Sequence, residues 1–210
     1  TWGSKKYEEY TPEKALQQAM KYKTYWGKKG GITISGGEPL AQIDFVLELF
    51  KLAKKEGINT CIDTSGGCFT REEPFFSKFK ELMEYTDLLL VDIKEINNER
   101  HKTLTGRSNE NILDMAKYLS EINKPIWIRH VLVPERSDYD EDLIELDRFI
   151  STLSNVYRVE ILPYHTLGVF KWEELKIPYQ LEGIKPPTKE RVDNANRLLH
   201  VDRYTRYLDN

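Results

Sequence analysis

Cysteine is scarce in this chain: Cys61 and Cys68 are the only two among 210 residues. Two thiols cannot build a disulfide framework, so an extracellular disulfide scaffold is excluded and a reducing cytoplasm is the expected setting. An excess of one charge is lacking too. Lys and Arg number 31 against 34 Asp and Glu, a net charge of −3, with both signs dispersed along the chain. Neither nucleic acid nor an acidic membrane surface finds an electrostatic footprint there. No apolar run approaches the roughly 20 residues that a membrane-spanning helix needs, and no secretory signal pattern opens the chain. What is present is 40% hydrophobic composition, enough over this length for one good-sized core, and residues 1–210 read as a single domain.

Proline and glycine mark where the elements change. Thr11-Pro12-Glu13 combines an N-cap, a first-turn proline and an acidic residue at a positive helix end, and opens a helix expected to reach about Trp26. Next comes "GITISGGEPL". Its β-branched run Ile32-Thr33-Ile34 is a strand that halts at Gly36-Gly37, where bare backbone can come close to something. Glu38 then places a carboxylate at the strand's C-terminal mouth, and Pro39 ends the pairing. Residues 42–56 carry Ile43, Val46, Leu47, Phe50 and Ala53 at helical spacing, and Gly57 stands where a left-handed cap is favoured. Further strands are expected at 58–64, 87–93, 125–133 and 156–164, with helices near 74–85, 109–122, 140–153 and 188–199. Residues 166–187, with Pro178, Pro186 and Pro187, read as a long irregular segment, functional or mobile, before the last helix.

Five short runs without polar alternation, separated by amphipathic helices, predict an α/β fold with a parallel sheet buried on both faces. Right-handed crossovers curl such a sheet toward a barrel, and ligands then sit at the C-terminal ends of the strands. Glu38, Asp63, Thr64, Asp92, Lys94, Arg129, His130 and His165 all fall at or near those ends. Asp63 and Asp92 interrupt apolar strands, which is costly unless they are paired or bound to a cation. Two carboxylates on neighbouring strands suit a hard cation with backbone carbonyls as further ligands; Lys94 could instead neutralise Asp92 in an ion pair. Arg129 could face either side of its strand, since one residue of slip flips the faces. His101 and His200 read as ordinary surface, and charge runs such as "NNER" as solvated helix ends.

Taken in order, "GGE", "CIDTSG", "LVDIK", "WIRHVLVP" and "LPYHTLG", followed by "KW" and "IKPP", the motifs resemble those of the radical S-adenosylmethionine activating enzymes of glycyl radical enzymes. The resemblance extends from Thr1-Trp2 to about Leu199. It implies that Gly36, Gly37 and Glu38 hold the amino group of S-adenosylmethionine. Asp63 and Asp92 would flank a monovalent cation beside the cofactor's carboxylate, with backbone carbonyls from Thr64 and Leu90. Lys94 would pair with that carboxylate, His165 would meet the nucleoside end, and Arg129 would line the pocket, so that Lys94 and Arg129 become the expected catalytic pair. In the family, an electron from a [4Fe-4S] cluster cleaves the cofactor, and the resulting 5′-deoxyadenosyl radical takes a hydrogen atom from a backbone glycine of the partner enzyme.

One departure shapes the remaining expectations. The family ligates its cluster through a C-x3-C-x2-C run, whereas Cys61 and Cys68 are two cysteines on the second strand and its following loop, so no iron–sulfur ligands are expected in this chain. Thr1-Trp2 resembles the stretch that follows the cluster loop. The expected architecture is therefore an incomplete (β/α)6 partial TIM-type barrel of five mainly parallel strands, with the first strand and the cluster loop missing. Inactivity alone and self-association through the free sheet edge follow as expectations. Residues 1–30 contain no cysteine, unlike activases with a ferredoxin-like insert, which points to pyruvate formate-lyase as partner and to a reducing carrier such as flavodoxin as electron source. Two other readings stand beside this one: a cofactor- or partner-binding remnant without redox activity, and an unrelated barrel enzyme using a divalent metal at Asp63 and Asp92.

Overall fold

A computed structural model describes residues 8–27 and 30–208; the expectation placed on Thr1-Trp2 lies outside the described residues. Helix α1, Pro12–Met20, starts as its sequence directs, with the Thr11 hydroxyl accepting from the Lys14 amide and Pro12 in the first turn. It does not reach Trp26. After Met20 come Tyr22, Thr24, Tyr25 and Trp26, side chains that lose rotamer freedom in a helix, and only a single 3-10 turn forms, Lys23–Tyr25.

Five strands follow: β1 Gly31–Ile34, β2 Asn59–Thr64, β3 Leu88–Asp92, β4 Ile126–Leu132 and β5 Val156–Pro163. They pair in parallel in sequential order, β1-β2-β3-β4-β5. Between and after them run α2 Ile43–Lys55, α3 Phe75–Glu84, α4 Asn98–Thr105, α5 Glu110–Glu121, α6 Asp140–Ser151, α7 Val169–Leu175 and α8 Lys189–Leu198. Sequential order means that every crossover steps to the next strand in the same sense. Right-handed crossovers therefore place the helices on one side of the sheet. This is the α/β architecture of a partial TIM-type barrel.

Burial along the strands corrects the expectation of a sheet enclosed on both faces. Ile62, Leu89, Val91, Ile126, Ile128 and Leu132 are fully buried, while the residues between them are only partly covered. The apolar core lies between the sheet and its helices. Its densest part is aromatic: Phe69, from the loop after β2, sits edge-on to Phe79 with ring centroids 5.0 Å apart and stacks on Tyr118 of α5 at 6.1 Å. Phe69 thereby pins the β2 loop to α3 and α5, which matters because that loop forms part of the site.

Two further elements differ from the sequence reading. Residues 98–105 form α4, a helix not among those expected, with "NNER" at its start as a helix end; its signals were ordinary ones, an Asn97 side chain accepting from the Glu99 and Arg100 amides and Gly106 at φ 77° closing the end. The segment 166–187 is not wholly irregular, since it contains α7, ended by Lys176 in the left-handed region.

Candidate active site

The register of the sheet decides which polar residues meet. Asp63 stands opposite Leu90, Leu90 opposite Trp127 and Trp127 opposite Arg158; one step further on, Asp92 stands opposite Arg129 and Arg129 opposite Glu160. Opposed residues on parallel strands share a face. The face away from the helices therefore carries Cys61, Asp63, Leu90, Asp92, Trp127, Arg129, Arg158 and Glu160. His130, next to Arg129, points to the other side and is buried there, with Nδ1 2.9 Å from the Ile93 carbonyl and Nε2 2.8 Å from the Ser137 carbonyl. It does not join the polar cluster at the strand ends.

Arg129 bridges the two aspartates. Its Nη2 donates to Asp63 Oδ1 at 2.6 Å and its Nε to Asp92 Oδ1 at 3.0 Å. The side chains retain 19%, 22% and 18% of their exposure, so the triad is partly shielded from water. Burial pushes the Asp63 carboxyl above its ordinary value, and the Arg129 charge works against that rise. The ion pair that Lys94 could have made with Asp92 is made by Arg129 instead. The guanidinium bridges the two carboxylates beside which a monovalent cation was expected; of the residues expected to add backbone carbonyls, Thr64 is buried and Leu90 lies mid-strand.

Glu38 does more local work than its position in the sequence suggests. One carboxylate oxygen accepts from the Leu40 amide at 3.1 Å and from the Thr64 hydroxyl, and the other accepts from the Ser65 amide at 3.0 Å and the Ser65 hydroxyl at 2.6 Å. Four donors fill a carboxylate's accepting capacity. Glu38 is a brace between the β1 and β2 loops. The β2 loop is held from behind as well, because Gly66 has φ 70° and a Cβ there would lie 2.6 Å from the Met115 methyl group. Gly36 and Gly37, at φ 84° and 60°, are different: an added Cβ would meet nothing within 4 Å. Backbone conformation requires glycine there, and the space around the turn is open.

Lys94 leaves the end of β3 half-buried and, among the described residues, forms no ion pair. His165 is exposed just beyond β5. The open Gly36-Gly37 turn and the half-buried Lys94 cation are the features expected to meet the amino-acid end of S-adenosylmethionine. An iron–sulfur cluster finds no such match. No group of three His, Cys, Asp or Glu side chains able to hold a metal exists among the described residues. Cys61, half-buried in β2, has its thiol pushed up to about 11 by burial, and burial also raises Cys68, exposed in the following loop. Neither is a ready thiolate.

The sequence reading missed the network behind Lys94. Glu95 is fully buried and burial pushes its carboxyl up to about 7; one oxygen accepts from the Asn97 amide at 2.9 Å and the other has no partner. The Asn109 side-chain amide donates to the carbonyls of Glu95 and Ile96. His101, read as surface, is 2% exposed. His200 is half-exposed and lies 3.2 Å from Asp147.

Comparison with known proteins identifies the family. Residues 1–150 match the model of the radical SAM superfamily. The chain is 53% identical over 209 residues to the pyruvate formate-lyase-activating enzyme of Streptococcus mutans, covering 99% of this chain and 80% of that protein. It is 50% identical over 205 residues to the enzyme of that name from Listeria monocytogenes, covering 97% and 83%. Among solved structures, a domain of pyruvate-formate lyase-activating enzyme from Bacteroides vulgatus superposes with a TM-score of 0.67 at 23% identity, covering 84% of this chain and 96% of that one. Streptococcus suis SuiB bound to S-adenosylmethionine superposes with a TM-score of 0.69 at 17% identity, covering 94% and 42%; these two likenesses concern the fold. The strands, the glycine turn and the close relatives agree: the chain belongs to the radical SAM superfamily and, within it, to the pyruvate formate-lyase-activating enzymes.

Proposed function

We propose that this chain seats S-adenosylmethionine at the C-terminal mouth of its sheet and serves to generate a glycyl radical on pyruvate formate-lyase. The observation that carries the reading is that an open glycine turn braced by Glu38 and a lysine without an ion-pair partner among the described residues both follow C-terminal strand ends of one sheet. When bound, the cofactor supplies the radical chemistry. The chain's own part is to orient it. The Gly36-Gly37 backbone accepts from the amino group, Lys94 donates to the carboxylate beside Asp92, and exposed His165 meets the nucleoside end. Arg129, held by Asp63 and Asp92, lines the wall of the pocket. A cytoplasmic setting and a small reducing carrier such as flavodoxin belong to the same reading, as does a partner's glycine loop resting near α7.

Equilibrium dialysis with labelled S-adenosylmethionine tests it. Lys94→Met is expected to weaken binding about tenfold, the worth of one charge-assisted hydrogen bond of about 1.5 kcal/mol. Unchanged affinity would remove Lys94 from the site. β1 is an edge strand of the described sheet, and pairing of two copies along it is a second expectation; a concentration-independent monomer in sedimentation velocity would sink it.

A further inference from the structure

Asparagine is among the residues preferred just before a helix, where its side-chain oxygen accepts from the amides of the first turn. Asn109 stands in that place before α5 and makes no such bond. The Ser108 hydroxyl oxygen accepts from the Glu110 amide instead, at 3.2 Å. Asn109 is 2% exposed, and its side-chain amide is turned toward the chain that leaves β3. Its Nδ2 donates to the Ile96 carbonyl at 2.6 Å and to the Glu95 carbonyl at 3.1 Å. A carbonyl oxygen only accepts, so these two contacts use both N–H groups of the amide. Forgoing a cap destabilises a helix, and the compensation lies in the loop between β3 and α4.

Asn109 is itself held. Its main-chain amide donates to Asn98 Oδ1 at 3.2 Å, and its carbonyl accepts from the Leu113 amide at 3.0 Å. At the other side of the loop, the Ile93 amide donates to the Arg129 carbonyl at 3.0 Å, and the Ile93 carbonyl oxygen lies 2.9 Å from His130 Nδ1. Ile93 is thus tied to β4 at both its polar groups, and Glu95 is tied to Asn109. Lys94 is the one residue between those ties. Beyond them the loop closes on itself, with the Glu95 carboxylate accepting from the Asn97 amide at 2.9 Å. The lysine side chain is a flexible four-carbon stem, so the direction of its charge depends on how firmly the main chain beneath it is fixed.

We infer that Asn109 is a positioning residue for Lys94: by holding the Glu95 and Ile96 carbonyls, it fixes the main chain from which the Lys94 side chain reaches the carboxylate of a bound amino-acid ligand. Asn109 does not touch the ligand. This role rests on the reading of Lys94 given above.

Two substitutions test it. Asn109→Asp is isosteric and turns a carboxylate oxygen on the two carbonyls, while Asn109→Leu removes both donors without adding a charge. In equilibrium dialysis each is expected to bind S-adenosylmethionine about tenfold more weakly, the factor that corresponds to ordering one backbone residue. Affinity for decarboxylated S-adenosylmethionine is expected to stay unchanged, because Lys94 has nothing to meet there. Adding Asn109→Leu to Lys94→Met is expected to bring no further loss. Ile150→Val, a truncation of the enclosed core in α6, controls for lost stability and is expected to keep the affinity of the unsubstituted chain. In the unsubstituted chain, the side-chain amide protons of Asn109 are expected to exchange with solvent far more slowly than those of exposed Asn123.

Unchanged affinity in both Asn109 variants, an equal loss for the decarboxylated ligand, a further loss in the Lys94→Met background, or fast exchange at Asn109 would each overturn the role. Loss of the fold in both variants would overturn it too, leaving Asn109 a structural residue. Absence of binding by the unsubstituted chain, or unchanged affinity in Lys94→Met, would instead overturn the proposed function and this role with it.

Discussion

Leu89 and Leu90 are neighbours on β3, and they live in different environments: Leu89 is fully buried beneath the helices, whereas Leu90 is half-covered and shares its face with Asp63, Trp127 and Arg158. The same division runs through β2, where Ile62 and Thr64 are enclosed and Asp63 is not, and through β4, where Ile128 is enclosed and Arg129 is not. Successive side chains of a strand point to opposite faces. One strand can therefore give alternate residues to stability and to a site without either compromising the other. Near the N-terminal ends of the strands the open face is tied down by aromatics: Arg158 lies over Trp127 at 4.9 Å and over Tyr207 at 4.5 Å, and pairs with Glu160 at 2.9 Å. At the C-terminal ends the same face carries the Asp63–Arg129–Asp92 triad.

Truncating the enclosed leucine tests the comparison hardest. Leu89→Ala is expected to cost about 2–5 kcal/mol in urea unfolding, because it leaves a cavity in a packed core, against about 1 kcal/mol for Leu90→Ala, which loses only partial burial. Equal losses would break the distinction between the faces.

Glu95 sharpens it from the enclosed side, being a carboxyl fully buried just beyond the end of β3. Its folded value of about 7 lies above its ordinary 4.5. The folded chain therefore holds this proton more tightly than the unfolded one. Its stabilising contribution is fully present below pH 4.5 and is lost as pH rises through 7, by up to about 3 kcal/mol. Glu95→Gln should flatten that fall in thermal unfolding followed from pH 5 to 8; an unchanged slope would remove Glu95 as its cause.

The polar triad is expected to matter less for stability. Arg129→Gln leaves two carboxylates facing each other without a countercharge, but partial exposure tempers the cost to about 2 kcal/mol or less. The loss should shrink when Arg129→Gln is made in an Asp63→Asn background, as read by a double-mutant cycle. Smallest of all, Tyr207→Leu should cost about 0.5–1 kcal/mol by removing one ring from the Arg158 stack, while leaving S-adenosylmethionine affinity unchanged.

Much of the fold was legible from local rules. Thr11-Pro12 starts α1, and Gly57 follows α2 in the left-handed conformation at φ 68°; five apolar runs became five parallel strands. The helix α4 was legible in principle, through Asn97 and Gly106, but its low apolar content hid it, since its burial rests on His101 and on side-chain hydrogen bonds to backbone rather than on an apolar stripe. The early end of α1 reflects rotamer entropy in a run of aromatic residues, which the helical spacing of its apolar positions does not register.

What the sequence alone determined is the set of elements and the kind of residue at each strand end, because capping, turn formation and period-2 or period-3.6 patterning act over a few neighbouring residues. The partnerships were decided only by the tertiary structure. Arg129 reaches Asp63 across 66 positions and Asp92 across 37, and a register shift of one residue would have sent it to the other face. The same holds for Glu38, whose carboxylate is taken up by Thr64 and Ser65 on the next loop. Periodicity places a charge on an element, and the register of neighbouring strands selects which charge it meets, because hydrogen bonds and ion pairs depend on distances that only the packed sheet fixes.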